Sequence, residues 1–460
     1  MTTIETPARP SRAPRRSPAD LPFRFADRGL AQALAAEREE PDWLRAERIA
    51  SWQAFEALPV EANQLYTPYV DLRGALLEDA RPYVRTAAEP DLEATDADIE
   101  VIEDHVAIGQ AQRPEGVRLE TFGAWLARDP AGFRAAIEGG SSLPRDDKLA
   151  LLARGFWSQG IHVAIGDGVQ VERPILVRWR SSNPGRALIS RTLVTMGAGA
   201  SASIVEEQVP SGPPIECAEG ETVPQGLFHG TTEVVLGAGA NLALASIQDL
   251  GPDQVAFHHR HAAIGEGASL HWALAQLGGR LVRSRVDNRL EGDRSSVEQV
   301  EIVFGGEEQL FDLTSYTRHL GRDTTGNLLS KGALLDKSRS YLKGLITIEK
   351  SAIGTDSFLG EFGMNLSRAA RAVAIPSLEI DQPDCRRAAH SSSVGPIDPA
   401  QLFYLETRGI PPDEARKFVV LGFLEPVVAR VPLDSAREHL RELLDAKWAA
   451  GYRPEAAAAA

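Results

Sequence analysis

The densest group of chemistry-bearing side chains is His258, His259 and His261, a spacing that invites transition-metal ligation. In an extended strand, alternate side chains point to opposite faces. His259 and His261 would then share one face and His258 the other, so at most two converge locally. A third ligand would come from elsewhere, with His271 and His229 as candidates; the other reading is a hydrogen-bonded strand face. The paired carboxylates Glu206-Glu207 and Glu307-Glu308 have the residue type for acid and base work on a glycosidic bond, or for solvated turn and edge positions. No Gly-x-Ser-x-Gly elbow surrounds the serines Ser391-Ser392-Ser393, and no Walker A segment is present. ATP hydrolysis by that route is therefore excluded for this chain.

The Gly-x-Gly units at Gly197-Ala198-Gly199, Gly237-Ala238-Gly239 and Gly265-Glu266-Gly267 resemble part of a dinucleotide fingerprint. That fingerprint needs a third glycine three residues on, at the opening of a helix. Ala202, Leu242 and Leu270 stand there, followed by strand-like alternation. Ile165-Gly166-Asp167-Gly168 and Leu290-Glu291-Gly292-Asp293 read as degenerate copies of the same unit. Repeated turns between short β-prone runs predict a solenoid in which each coil buries its face on the next. A right-handed parallel β-helix over 161–395 fits best.

Flanking regions have a different texture. Residues 1–20 carry Pro, Arg, Ser and Thr with almost nothing to bury and read as a disordered tail. A mainly helical region is expected over 21–160. Trp43, Leu44, Ile49, Trp52, Phe55 and Leu58 fall near one helix face before Pro59, and Asp129-Pro130 starts a later helix. A helical domain is expected over 396–460. Asp398-Pro399 opens one helix, with Gly409 at its C′ position. Pro411-Pro412-Asp413-Glu414 opens a second, closed by Gly422, and Asp434-Ser435 opens a third with Leu440, Leu443, Leu444 and Trp448 on one face. The Ala456–Ala460 tail is expected to fray.

Composition narrows the function classes. The 460 residues include two cysteines, Cys217 and Cys385, too few for a disulfide framework or for the roughly four thiolates of a stably held iron–sulfur cluster. A formal net charge of −15 opposes broad contact with nucleic-acid phosphates or an anionic membrane. No stretch approaches the roughly 20 apolar residues of a membrane span. The Arg15-Arg16 pair is followed by Ser17-Pro18-Ala19-Asp20, a poor export signal, so a cytoplasmic location is expected.

The segment Leu378-Glu379-Ile380, then His390-Ser391-Ser392-Ser393-Val394-Gly395-Pro396-Ile397-Asp398, Gln401-Leu402-Phe403-Tyr404-Leu405 and Arg408-Gly409-Ile410-Pro411 closely resembles the C-terminal signature of the SufB/SufD family. These are scaffold subunits of the Suf iron–sulfur cluster assembly system. The likeness extends through Gly278-Gly279-Arg280, Thr324-Thr325, Lys331-Gly332, Gly344 and Thr355-Asp356 to Glu40-Pro41-Asp42-Trp43-Leu44-Arg45, and more loosely to Leu65-Tyr66-Thr67. Within the family the chain looks more like SufD. Ala370 stands where SufB carries a cysteine, and Ser391 where SufB carries a glutamate after the histidine matched by His390. Ala388 stands where SufD often carries a cysteine, and Asp323 replaces a usual histidine.

The resemblance implies a β-helix core and a non-catalytic scaffold role in a complex. The expected partners are a SufB-like subunit, paired through the end of the β-helix, and a SufC-like ABC ATPase, docked on the C-terminal helices. It further implies a transient nascent cluster or iron, with a reduced flavin bound through the complex. His390 is the implied iron or cluster-assembly residue and Cys385 a weaker one; Phe403, Tyr404, Arg408, Gly409, Phe418 and Phe423 are the implied partner-binding residues. The alternatives are a SufB-type primary cluster scaffold as a homodimer, and a β-helix enzyme acting on polysaccharide.

Overall fold

The structure, a computed structural model, describes residues 23–58, 75, 77, 80–82, 96–103, 105–109, 113–139, 143–181, 184–212 and 224–451. The tail over 1–20, Leu65-Tyr66-Thr67, Cys217 and the Ala456–Ala460 tail lie outside the described residues.

Two helices come first, α1 (Arg28–Glu37) and α2 (Asp42–Ala57). Then follow β1 (Arg81–Pro82), β2 (Ile99–Ile102), β3 (His105–Ile108) and β4 (Val117–Thr121). Next are α3 (Phe122–Arg128), α4 (Pro130–Glu138) and α5 (Lys148–Phe156). Asp129 caps α4 by accepting from the Gly132 amide at 2.9 Å, as the Asp129-Pro130 pair predicts. The region expected to be mainly helical thus also supplies strands. Ile99 and Val101 of β2 are fully buried in the solenoid core, and β2 pairs in parallel with β6 (Ile175–Arg180). A four-residue strand is too short to announce itself by alternation.

The remaining strands alternate between two stacked sheets. One holds β5 (Gln159–Ile165), β7 (Arg186–Met196), β9 (Gly226–Leu236), β11 (Gln254–Ile264), β13 (Leu281–Leu290), β15 (Leu310–His319), β17 (Arg339–Ile348) and β19 (Arg371–Ile380) in that order. The other continues from β6 through β8 (Ser201–Val209), β10 (Asn241–Gln248), β12 (Ser269–Gln276), β14 (Ser296–Gly305), β16 (Thr325–Leu334), β18 (Asp356–Asn365) and β20 (Arg387–Gly395). Each strand pairs in parallel with the strand two places on in sequence, so Leu281, Leu310 and Arg339 stand in one column. This is a parallel β-solenoid of about eight turns. Its core lies between the sheets and includes Val163, Trp179, Leu244, Trp272, Val303 and Leu342.

The Gly-x-Gly units are the tight turns joining one sheet to the other, stacked coil on coil. Each has two separate demands. The second position takes positive φ, with Gly199 at +65° and Gly239 at +67°, where a side chain is strained. The first lies against the neighbouring turn, and a Cβ on Gly197 would stand 2.5 Å from the Asp167 backbone nitrogen. Hydrogen bonds from Gly199 N to Ala238 O and from Gly239 N to Glu266 O stitch the turns together. In the copy at Leu290 the close approach keeps Gly292, while Arg294 takes the positive φ.

Helices cover the outer faces. Residues of α2 and α5 pack with Ile189, Leu227 and Phe257 on the outside of the odd-numbered sheet. A buried ion pair lies on each side of that joint, one between α2 and α5 and one between β7 and β9. Arg154 meets Glu47 at 2.7 Å and Arg191 meets Glu233 at 2.6 Å. The other Glu233 oxygen accepts from the Leu143 amide at 2.9 Å. At the C-terminus come α6 (Pro399–Thr407), α7 (Pro412–Val428) and α8 (Asp434–Gly451). Val420, Leu424, Val427, Leu440, Leu444 and Trp448 pack on the outside of the even-numbered sheet. Gly422 does not close α7, contrary to the expectation from sequence. The helix runs on to Val428 because Leu424, Val427 and Val428 are buried, and packing outweighs the modest helix cost of one glycine.

Candidate functional site

Two features are left uncovered, the last coil of the solenoid and a groove among the C-terminal helices. Among the described residues β19 pairs only with β17 and β20 only with β18, so both sheets end there on an open edge. Asp398 caps α6 through the Ala400 amide at 2.9 Å and redirects the chain. The helices that follow pack on β12, β14 and β16 and leave the solenoid end open. Ile380 and Val394 of the last coil are accordingly 46% and 41% exposed.

His390 lies on β20 directly beside Leu359. Its neighbours at alternate positions, Ala388 and Val394, touch the inner-face residues Leu359 and Gly363, so His390 belongs to the inward column of the final coil. It is exposed, and among the described residues no strand stacks beyond β20. Cys385, a free thiol, sits in the turn before β20 and, like Leu378 and Ala388, packs against the buried cluster of Leu328, Ile346, Ile348, Ala352 and Leu359. From Arg387 to His390 alone the extended chain spans about 10 Å. The structure therefore places the two candidates apart. Among the described residues no three His, Cys, Asp or Glu side chains converge as a metal cage.

Glu361 on β18 is a neighbour that the sequence reading passed over. It is fully buried, faces inward between Leu359 and Gly363, and pairs in register with Ser392. One carboxylate oxygen accepts from the Ile375 amide at 2.7 Å, while the other, Oε1, has no hydrogen-bond partner. Burial pushes its pKa up to about 8, only partly opposed by the Ile375 hydrogen bond and by Lys343. The signal was available in the alternation Ser357, Leu359, Glu361, Gly363, where one acid interrupts an inward column.

The second feature is a groove of about 680 Å³ between α6 and α7, lined by Met364, Tyr404, Leu405, Phe418, Val419 and Phe423 among others. α6 buries none of its side chains fully. Phe403, Tyr404 and Phe418 are 69%, 57% and 67% exposed, unusual for large apolar side chains. Arg408 stacks its guanidinium 5.2 Å from the Tyr404 ring, and Gly409 at φ +86° makes the turn into α7. Phe423 is half-buried. Its ring lies under the Lys331 ammonium at 4.6 Å and its carbonyl accepts from the same group at 2.9 Å, tying α7 to β16.

The other chemical candidates are taken up by the fold. All three histidines of the 258–261 cluster are buried. His259 bonds Asp287 at 2.7 Å on the outer face, whereas His258 lies tilted against Phe228 inside the solenoid, where burial holds its pKa well below the usual value. His229 bridges the Leu149 and Phe257 carbonyls, and His271 lies half exposed beside Glu298. Glu206 points inward to Trp179 and Ser246, while Glu207 pairs with Arg178. Adjacent acids on a strand cannot face one substrate. Glu307 and Glu308 do line a pocket of about 770 Å³ with Asp249, Asp253 and Asp336, but Lys447 and Arg280 lie among them. Burial lowers Lys447 to about 8, and its ammonium bonds Gln309 at 2.8 Å.

Comparison with known proteins identifies the family. The model of the family described as SUF system FeS cluster assembly, SufBD core domain, matches residues 178–423. The iron–sulfur cluster assembly protein SufD of Bacillus subtilis is 26% identical over 439 residues, covering 92% of this chain and 98% of its own length. An iron–sulfur cluster assembly SufBD family protein of Mycobacterium bovis is 33% identical over 227 residues, 48% of this chain and 57% of its own. A SufBD family protein of Staphylococcus saprophyticus is 22% identical over 450 residues, 91% of this chain and 93% of its own. The match covers more than half of the chain and most of the solenoid, so this protein belongs to the SufBD family of the SUF iron–sulfur cluster assembly system and is most like SufD.

Proposed function

We propose that the chain is a non-catalytic, SufD-like scaffold subunit working in the cytoplasm. The open end of the solenoid pairs with a SufB-like subunit, and the groove between α6 and α7 docks a SufC-like ABC ATPase. Iron or a nascent cluster is the cargo, passed transiently at the subunit boundary near His390. A reduced flavin is bound by the complex as a whole, a point supported by family likeness alone.

The observation that carries this reading is the bare last coil. Two edges that are unpaired among the described residues, with exposed Ile380 and Val394, form a template for another chain. His390 lies at that edge, where a partner could supply further ligands. The exposed aromatic residues of the groove have the residue types enriched at the centres of protein interfaces.

Coexpression with SufB-like and SufC-like subunits, followed by size-exclusion chromatography, tests the assembly. The expected result is one co-eluting complex, and elution of this chain alone would count against the reading. His390→Ala should leave that complex intact and lower the cluster yield on anaerobic reconstitution. An unchanged yield would remove His390 from the cargo path.

A further inference from the structure

Helix α7 carries two helix-weakening residues on the side that lines the groove. Glycine and proline are the costliest residues in a helix interior. Gly422 and Pro426 stand one turn apart and continue the row that begins at Phe418. The buried residues Val420, Leu424, Val427 and Val428 occupy the side that meets the solenoid. Gly422 answers no demand of the fold. Its φ is not positive, it is exposed, and an added Cβ would meet nothing within 4 Å. Alanine would fit that space and favour the helix.

The two residues act on one carbonyl. In an α-helix the Gly422 carbonyl accepts from the N–H of residue 426. Pro426 has no N–H, so that carbonyl loses its helical donor. With no Cβ on its own residue to shield it, the carbonyl stands bare on the groove wall. The next carbonyl along, that of Phe423, accepts from the Lys331 ammonium at 2.9 Å, which holds α7 on β16 across the interruption. Among the described residues lining the groove, only Gln401 and Tyr404 carry side-chain nitrogen or oxygen, and both come from α6. A bare acceptor in an aromatic-lined cleft is matched by a side chain with an apolar body and one donor at its tip.

We propose that Gly422 and Pro426 form a donor-reading subsite, and that the partner protein docked in this groove inserts an aromatic side chain whose own donor meets the Gly422 carbonyl. This rests on the reading of the groove as a docking surface given above. Tryptophan fits best, because its indole is a large apolar ring with a single N–H and is enriched at the centres of protein interfaces. The groove, about 680 Å³, has room for that ring beside Phe418 and Phe423.

The test is a ligand-observed NMR titration of the full-length chain with indole and with 1-methylindole, the same ring without the donor. The ratio of the two affinities separates the donor from ring burial. That ratio should be about three- to tenfold higher in wild type than in Pro426→Ala, the range that one net hydrogen bond supplies. Pro426→Ala returns an N–H to the Gly422 carbonyl, and hydrogen exchange should show α7 at least as stable as before. An equal ratio in the two proteins, or no indole binding by wild type, overturns the subsite. Binding of a SufC-like ATPase, measured in parallel, should weaken by a similar factor in Pro426→Ala, and an unchanged ATPase affinity overturns the aromatic anchor. If wild type keeps the high probe ratio but binds no ATPase, the subsite stands and the docking reading alone falls.

Discussion

Replacing Glu361 by glutamine should stabilise the end of the solenoid, by an amount set by pH. The folded-state pKa, about 8, lies above the ordinary 4.5, so folding must take up a proton between those values. Below about pH 4.5 the carboxyl is neutral in both states and no penalty exists. The penalty then grows by about 1.4 kcal/mol per pH unit and reaches roughly 3 kcal/mol at pH 7. It levels off above about pH 8, where the folded form also ionises. Glutamine keeps an oxygen to accept from the Ile375 amide and removes the ionisation. Its new NH₂ can go unpaired, which shifts the whole curve and leaves its slope unaffected. The slope is therefore the quantity to measure. Each coil of a solenoid contacts only its neighbours, so the effect is local and hydrogen exchange over β18–β20 reads it directly. The free energy of opening in Glu361→Gln minus that in wild type should rise by roughly 3 kcal/mol between pH 5.5 and pH 8. A difference that stays flat to within about 0.5 kcal/mol would refute the raised pKa and the reasoning built on it.

Glu233→Ala should destabilise the joint between the first helices and the solenoid by about 3–5 kcal/mol, because Arg191 is left charged and buried while the Leu143 amide loses its acceptor. Guanidinium denaturation checks this, and a loss under about 1 kcal/mol would contradict it. For Asp287, burial alone would raise the carboxyl, but Arg285 and His259 more than offset it and hold it well below the usual range. Its contribution is therefore present above the unfolded-state value and is lost as pH falls below about 4. Asp287→Asn should flatten the acid limb of a stability curve, and a limb as steep as that of wild type would exclude it. Gly199→Ala should cost about 1 kcal/mol through positive φ alone, since nothing lies within 4 Å of the added methyl. Gly197→Ala should cost more, because its methyl would meet the Asp167 backbone at 2.5 Å, and thermal melts showing the reverse order would contradict the stacked-turn account.

Some features of the site were legible residue by residue. Asp398-Pro399, Gly409 and Pro411-Pro412 mark α6 and the start of α7 because caps and prolines act through local backbone geometry. Gly422 misled for the complementary reason, since burial of Leu424, Val427 and Val428 is a tertiary term that outweighs a local helix preference. The short strands β2 and β4 were hidden among helices because their solenoid partners lie far away in sequence, as with Val101 beside Trp179 and Leu119 beside Val163. The histidine cluster drew attention by proximity in sequence, yet strand alternation sends His258 and His259 to opposite faces. Glu361 was overlooked because an isolated glutamate is ordinary until its burial is known.

The sequence by itself determined the solenoid, the helical ends and the family, because repeated turns and short motifs are local patterns. It also limited the chain to two cysteines and so pointed away from a self-contained cluster site. Only the tertiary structure decided which face each strand residue takes, which coil is last, and what covers it. His390 and Glu361 are separated by 28 intervening residues and meet only because β18 and β20 pair in one register. Their burial and exposure follow from the helices settling on β12, β14 and β16 while leaving the solenoid end bare. Parallel pairing is a long-range contact, and its register is set by the packing of whole coils.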